Sequence, residues 1–176
     1  MNRFLLSRIK PEYYPSIAEY KKEMQDNHEE MHGCCRLEDY DDMEKWHLNA
    51  LLFEKEETLP PGYSQAYEYL FLEDDEVIGM VDIRPKALQH VYLKVYGGHI
   101  GYSIRPSRRN KGNGTRMLKE ALLLCKNEFQ LDKVLITCEE DNEASRKVIM
   151  NNGGVYEDKV FYPPDQKMIE RYWISL

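Results

Sequence analysis

Seven residues, Arg109-Asn110-Lys111-Gly112-Asn113-Gly114-Thr115, combine glycines with cationic and amide side chains at a spacing suited to holding phosphate. The flanking sequence gives this segment its meaning. Upstream, His99-Ile100-Gly101-Tyr102-Ser103-Ile104 alternates with the period of two expected of a strand. Downstream, Met117-Leu118 and Ala121-Leu122-Leu123-Leu124 recur at helical spacing. A glycine-rich turn from strand to helix lets the backbone approach an anion closely, and the unpaired amides at the helix start point toward it. A turn-forming role alone would also account for glycines here. Two other phosphate sites are excluded by residue type. A Walker loop needs Lys-Ser/Thr after its last glycine, and Gly114 is followed by Thr115-Arg116. A dinucleotide fingerprint needs a third glycine, and that position is Met117.

A second constellation lies farther along the chain. Lys133 to Cys138 reads as a short buried strand rich in β-branched residues. It passes through Glu139-Glu140-Asp141 into a segment starting at Asn142 and ending at Gly153-Gly154. Asn142 suits an N-cap, Glu143 favours the positive end of the helix dipole, and Gly153 suits the position after the last turn. Capping alone explains Asn142, but not a helix of this kind at this distance from the first motif.

Together these motifs resemble the GNAT superfamily of N-acetyltransferases. Its acyl-CoA pyrophosphate loop reads Arg/Gln-x-x-Gly-x-Gly/Ala, matched here by Arg109, Gly112 and Gly114, and its later helix begins Asn-x-x-Ala/Ser, matched by Asn142 and Ser145. The run Gly97-Gly98-His99-Ile100-Gly101-Tyr102-Ser103-Ile104-Arg105-Pro106 is similar to the strand before the loop in a bacterial subgroup of predicted GNAT acetyltransferases. The resemblance implies an α/β fold, a strongly twisted mixed sheet flanked by helices, in one domain covering residues 1–176. It implies acetyl-CoA as co-substrate and transfer of its acetyl group to a primary amine by direct attack in a ternary complex. Cofactor contacts then fall on Ser103, Ile104 and Arg105 of the strand, on Arg109, Asn110, Lys111, Gly112, Asn113, Gly114 and Thr115 of the loop, and on Asn142 and Ser145. The alternative function is an acyl-CoA-binding sensor or interaction module that turns nothing over.

The chemistry requires orientation, a proton route and stabilisation of the tetrahedral oxyanion. Here the chain departs from the family pattern. Many members carry a Tyr in the last motif's helix as acid to the thiolate, and the matching position is Ile149; some carry a Glu base where this chain has Thr137. Glu139, which directly follows the strand meeting the thioester, is the preferred catalytic carboxylate. His99 and Tyr102 are further candidates, but alternation places them on opposite faces, so at most one faces the cleft. With 13 tyrosines in the chain, any single one, such as Tyr156 or Tyr162, fits packing as readily as catalysis.

Composition sets the remaining bounds. A chain of 176 residues, 42% hydrophobic and 31% charged, suits one globular domain. A net charge of −7 and a pI near 5.3 oppose general nucleic-acid binding and are compatible with cationic amine acceptors, whether small molecules or protein amines. No apolar run approaches the roughly 20 residues that span a bilayer. Residues 1–10 lack the features of a signal peptide, so a cytoplasmic location is expected. Cys34, Cys35, Cys125 and Cys138 fit no zinc spacing, which favours reduced thiols and no metal. A homodimer is compatible with all of this.

The remaining elements follow from pattern. A strand is expected over Phe4–Ile9, a helix from Pro11 to Met24, a second helix within Leu37–Leu52 and a break at Pro60-Pro61-Gly62. A hairpin is expected from Tyr67–Leu72 and Glu76–Ile83, with a turn lacking glycine. Lys86–Lys94 reads as a short helical or irregular insertion, and Val155–Phe161 with Lys167–Ile174 as a final strand pair. The acceptor would be set by residues 11–62 and 160–176, where Tyr40, Trp46, Tyr63, Tyr162 and Trp173 could line a pocket or fill the core.

Overall fold

The computed structural model describes residues 3–176; Met1 and Asn2, the start of the segment read for a signal peptide, lie outside the described residues. Two antiparallel sheets form the centre. One has the order β1-β2-β3-β4, from Phe4–Ser7, Tyr67–Glu73, Glu76–Ile83 and Ile100–Ile104. The other has the order β5-β7-β6, with β5 at Lys133–Glu139, β6 at Val155–Tyr162 and β7 at Lys167–Ser175.

Helices cover both faces because each has one apolar stripe to bury. Helix α1 (Tyr14–Asp26) turns Ile17, Tyr20 and Met24 inward, and α2 (Met43–Leu52) turns in Met43, Trp46 and Ala50. They pack on Leu70, Leu72, Val77 and Met80 of the first sheet. On the opposite face α3 (Asn113–Asn127) buries Met117, Leu118, Ala121 and Cys125, and α4 (Glu143–Asn151) buries Ile149. Their core joins Val81, Ile83, Ile100 and Ile104 of the first sheet to Val134, Ile136, Tyr172 and Ile174 of the second.

Local chemistry set the detail of several expected elements. The first strand ends at Ser7, short of the expected Ile9, and the second helix occupies Met43–Leu52, inside the stretch expected to hold it. The Asp42 side chain caps it by accepting from the amides of Glu44 and Lys45, whereas residues 37–39 form a single 3-10 turn entered through left-handed Arg36. The glycine-free hairpin turn is built from Asp74 (φ 47°) and Asp75 (φ 70°), and aspartate tolerates this left-handed region better than most residues. Asp74 also accepts from the Arg3 amide. The insertion after β3 resolves into a 3-10 turn at Ala87–Gln89 and a π-helical turn at Leu93–Gly97.

Candidate functional site

Among the described residues, hydrogen bonds join the edges of β4 and β5 at one place, just before β4 begins. The His99 amide donates to the Leu135 carbonyl at 2.8 Å, and the Leu135 amide donates back to His99 Nδ1 at 2.9 Å. Beyond this link, among the described residues, β4 pairs only with β3 and β5 only with β7, which makes the gap between these two unpaired edges the candidate cleft. Accepting a backbone bond at Nδ1 places the ring hydrogen of neutral His99 on Nε2, and burial lowers its pKa, keeping it neutral. His99 is therefore the pin at the cleft's apex. Gly98, at φ 65°, lets the chain turn against β5 there; a Cβ would lie 2.6 Å from the Leu135 carbonyl oxygen.

The glycine-rich loop leads from β4 into α3. Asn110 (φ 59°) and Gly112 (φ 77°) take left-handed conformations, and Gly112 is the N-cap of α3 with no side-chain cap. The first helical bond runs from the Arg116 amide to the Gly112 carbonyl, which leaves the amides of Gly112, Asn113, Gly114 and Thr115 without helical partners. This end of α3 is an open donor cluster with a positive dipole, as a pyrophosphate requires. Gly114 serves packing as well: a Cβ there would lie 3.0 Å from Val148 Cγ2, so its absence lets α3 and α4 approach.

The side chains of this loop are largely committed to the protein itself. Arg109 donates from Nε to the Ile104 carbonyl at 2.8 Å, and its Nη atoms grip both carboxylate oxygens of Glu29 at 2.6 and 3.0 Å. Buried Arg105 donates to Glu23 at 2.5 Å, to Glu76 at 2.9 Å and to the Val77 carbonyl at 3.2 Å. Arg108 pairs with Glu76 and Glu73. Three guanidinium groups thus face four carboxylates, and the donors left uncommitted at this loop are backbone amides. Glu23 is partly desolvated, yet donation from the Ser107 amide and hydroxyl and from Arg105 takes its pKa below the ordinary value; the Arg109 hydrogen bonds do the same for Glu29. Asn113 turns inward to the Arg108 carbonyl, Lys111 reaches the Ser107 carbonyl, and the Thr115 carbonyl accepts from Asn152.

On β4, the Arg105 amide donates to Ile78 of β3, so antiparallel alternation turns the backbone groups of Tyr102 and Ile104 toward the open edge. The Ser103 hydroxyl lies on the α1 side, 2.7 Å from the Tyr20 hydroxyl and 2.6 Å from the His32 carbonyl. Through that contact the segment after α1 docks on β4, and Gly33 lies so close that a Cβ would meet the Gly101 carbonyl oxygen at 2.2 Å. Tyr102 emerges on the other face and crosses to α4, its hydroxyl 2.8 Å from Ser145 Oγ. Asn142 caps α4 by accepting from the Ser145 amide at 2.9 Å.

The carboxylate expected to handle the proton is not free: Glu139 accepts from Lys167 Nζ at 2.7 Å. Thr137 donates to the Tyr96 carbonyl at 2.7 Å, and Ile149 is fully buried in the core, so neither offers an acid or base. Cys138 is buried, its thiol pushed up to about 11 by desolvation, which suits a structural cysteine. All four cysteines are free. Tyr20, Trp46 and Tyr172 belong to the core, whereas Tyr92, Tyr96 and Tyr162 cluster beside β5 with ring centroids 4.9 to 5.9 Å apart.

Pattern reading found the strand before the loop, the helix start after Gly112 and the Asn142 cap. It missed Glu23, Glu29 and Glu76, whose only signal in sequence was a charged position on a helix, loop or strand.

Comparison with known proteins locates this arrangement. The model of the acetyltransferase (GNAT) domain matches residues 3–155. Among solved structures, RimL, a ribosomal alpha-N-protein acetyltransferase in complex with coenzyme A, aligns with a TM-score of 0.69 at 18% identity, covering 98% of this chain and 94% of that one. The ribosomal-protein-S5-alanine acetyltransferase from Vibrio fischeri gives 0.69 at 16% identity, covering 99% and 96%. The microcin C7 self-immunity acetyltransferase MccE, in complex with acetyl-CoA and AMP, gives 0.71 at 12% identity, covering 98% and 92%. At these identities the structures establish the fold. None of the curated proteins compared with it matches the sequence.

Proposed function

We propose, on the premise that the chain belongs to the GNAT acetyltransferase family, that it transfers the acetyl group of acetyl-CoA to the α-amine of a protein. The observation that carries this reading is the cleft between β4 and β5, open beside the uncapped start of α3. The pyrophosphate would lie on the amides of Gly112 to Thr115, with Asn110 and Lys111 beside it, and the pantetheine arm along the edge of Ser103-Ile104-Arg105. Asn142 and Ser145 border it from α4.

Proton chemistry favours an α-amine acceptor. At pH 7.5 about a third of a terminal amine is neutral, against about 0.1% of a lysine side chain. A site whose Glu139 is held by Lys167, and whose usual base position is Thr137, fits the acceptor that needs less help. Ribosomal-protein acetyltransferases among the structural neighbours support the same acceptor class. We assign Glu139 to receive the amine's remaining proton, with Lys167 holding the carboxylate at the end of β5.

The test is acetyl transfer from acetyl-CoA to peptides with a free N-terminus and no lysine, compared with N-terminally blocked peptides containing lysine. Faster turnover of the first set is expected; turnover confined to the second would overturn the acceptor assignment. Binding of CoA without any turnover would support the sensor alternative. Glu139→Gln should lower kcat by at least about tenfold. An unchanged rate and pH profile would make water the proton acceptor.

A further inference from the structure

His99 has more hydrogen-bonding capacity than the link between β4 and β5 uses. Its amide donates to the Leu135 carbonyl, and its own carbonyl accepts from the Arg84 amide. Nδ1 accepts from the Leu135 amide, a group that can only donate, so the ring hydrogen of the neutral side chain sits on Nε2. Among the described residues nothing accepts that hydrogen. His99 is only 2% exposed, and it lines a groove of about 510 Å³. Its one uncommitted polar group is therefore left to that groove. None of the residues assigned to acetyl-CoA borders it.

The rest of the lining tells which ligand would suit that donor. Lys86 and Gln89 come from the turn after β3, and Asp132, Lys133 and Ser175 from the start of β5 and the end of β7. The Lys133 ammonium stands 4.4 Å from the centroid of the Trp173 ring and pairs with no carboxylate among the described residues. The side chains of Gln89 and Ser175 are likewise uncommitted there. Lys86 is shared with exposed Glu56. An imidazole N–H, two ammonium groups, an amide and a hydroxyl thus face a single acid, Asp132, and that balance favours an anion. Leu88 and Leu131 add apolar surface, which suits a ligand with a hydrocarbon body rather than a bare inorganic ion.

We infer that this groove binds a small organic carboxylate with an apolar body. One carboxylate oxygen accepts the His99 Nε2–H, and Lys86 and Lys133 offset the charge. A charged acceptor makes a stronger bond to the imidazole than the water it replaces. The ligand then lies on the far side of the ring that holds Leu135. A negative acceptor at Nε2 makes Nδ1 a better acceptor in turn, so occupancy is felt at the Leu135 amide.

Benzoate is the probe, and benzamide its neutral isostere. Each is titrated by NMR into protein saturated with CoA, with thermal melts confirming that every variant is folded. Benzoate should bind with a Kd of about 1 mM or tighter, moving the His99 ring N–H and the Leu135 amide along one saturation curve. Benzamide should bind at least about tenfold more weakly, since it brings no charge to the donor. Exposed charges contribute little singly, so Lys86→Gln with Lys133→Gln should weaken benzoate by about 2- to 25-fold. Asp132→Asn removes a like charge and should tighten it by about 1.4- to 5-fold. Equal binding of benzamide, saturation that leaves the His99 signal unmoved, or unchanged affinity in the double lysine variant would each overturn the inference. Weaker binding by Asp132→Asn, or inorganic phosphate binding as tightly as benzoate, would overturn the carboxylate assignment. Every one of these results leaves the transferase reading intact, because the groove lies apart from the residues assigned to acetyl-CoA.

Discussion

Replacing Glu29 by Gln removes one charge from the ion pair that occupies Arg109. The two side chains are about equally accessible, at 36% and 34%, and are joined by bonds of 2.6 and 3.0 Å. A pair this exposed contributes about 0.2–1 kcal/mol. If a CoA phosphate takes Arg109, it must displace or share with Glu29, so that contribution opposes binding. Removing it should tighten the CoA complex by about 1.4- to 5-fold, with further gain because a carboxylate no longer faces the phosphates. The effect should diminish as salt is raised, since screening acts over about 10 Å at 0.1 M. Calorimetric titration of CoA into wild type and Glu29→Gln at low and high salt measures both. Weaker binding by the variant would refute the reasoning and show that Glu29 holds Arg109 in place for the cofactor; equal affinity would show that the phosphates do not engage Arg109.

Asn142→Ala should cost about 0.5–2 kcal/mol through loss of the cap on the Ser145 amide, or roughly 1–8 °C in Tm for a chain this size. An increase in the KM for acetyl-CoA beside that loss would identify a contact to the cofactor, whereas normal kinetics would leave Asn142 a cap alone. Glu68 is buried on β2 opposite Asp82, with Arg84, Arg8, Cys34 and Cys35 around it and neither carboxylate oxygen hydrogen-bonded among the described residues. Burial, then the charge of Asp82, raises its pKa well above the usual carboxylate value. A raised folded-state pKa means that the folded chain binds the proton more tightly. Its contribution to stability is therefore full below the unfolded pKa of about 4.3 and is lost as pH rises through the folded value. Glu68→Gln should gain stability relative to wild type as pH increases from 4 to 8, read as a growing difference in Tm. A constant difference over that range would show that Glu68 does not titrate there.

Short-range chemistry was legible in the sequence. Gly112, Asn142 and Gly153 announced a helix start, a cap and a helix end because each answers a local backbone requirement. Periodicity marked Ile17, Tyr20 and Met24 as one face of α1 for the same reason: the signal spans about two turns of one helix. These features gave the GNAT resemblance, the α/β order and the glycine-rich start of α3. Only the tertiary structure could decide who faces whom. That His99 pins β4 to β5 at Leu135, that Glu29 reaches Arg109 and that Lys167 holds Glu139 are contacts between residues 28 to 80 positions apart. Tyr102 of β4 and Ser145 of α4, 43 positions apart, meet through the tertiary fold alone. No local pattern encodes such pairings. They arise when two sheets bury their apolar faces against α3 and α4, and the polar side chains left at the seam must find partners there.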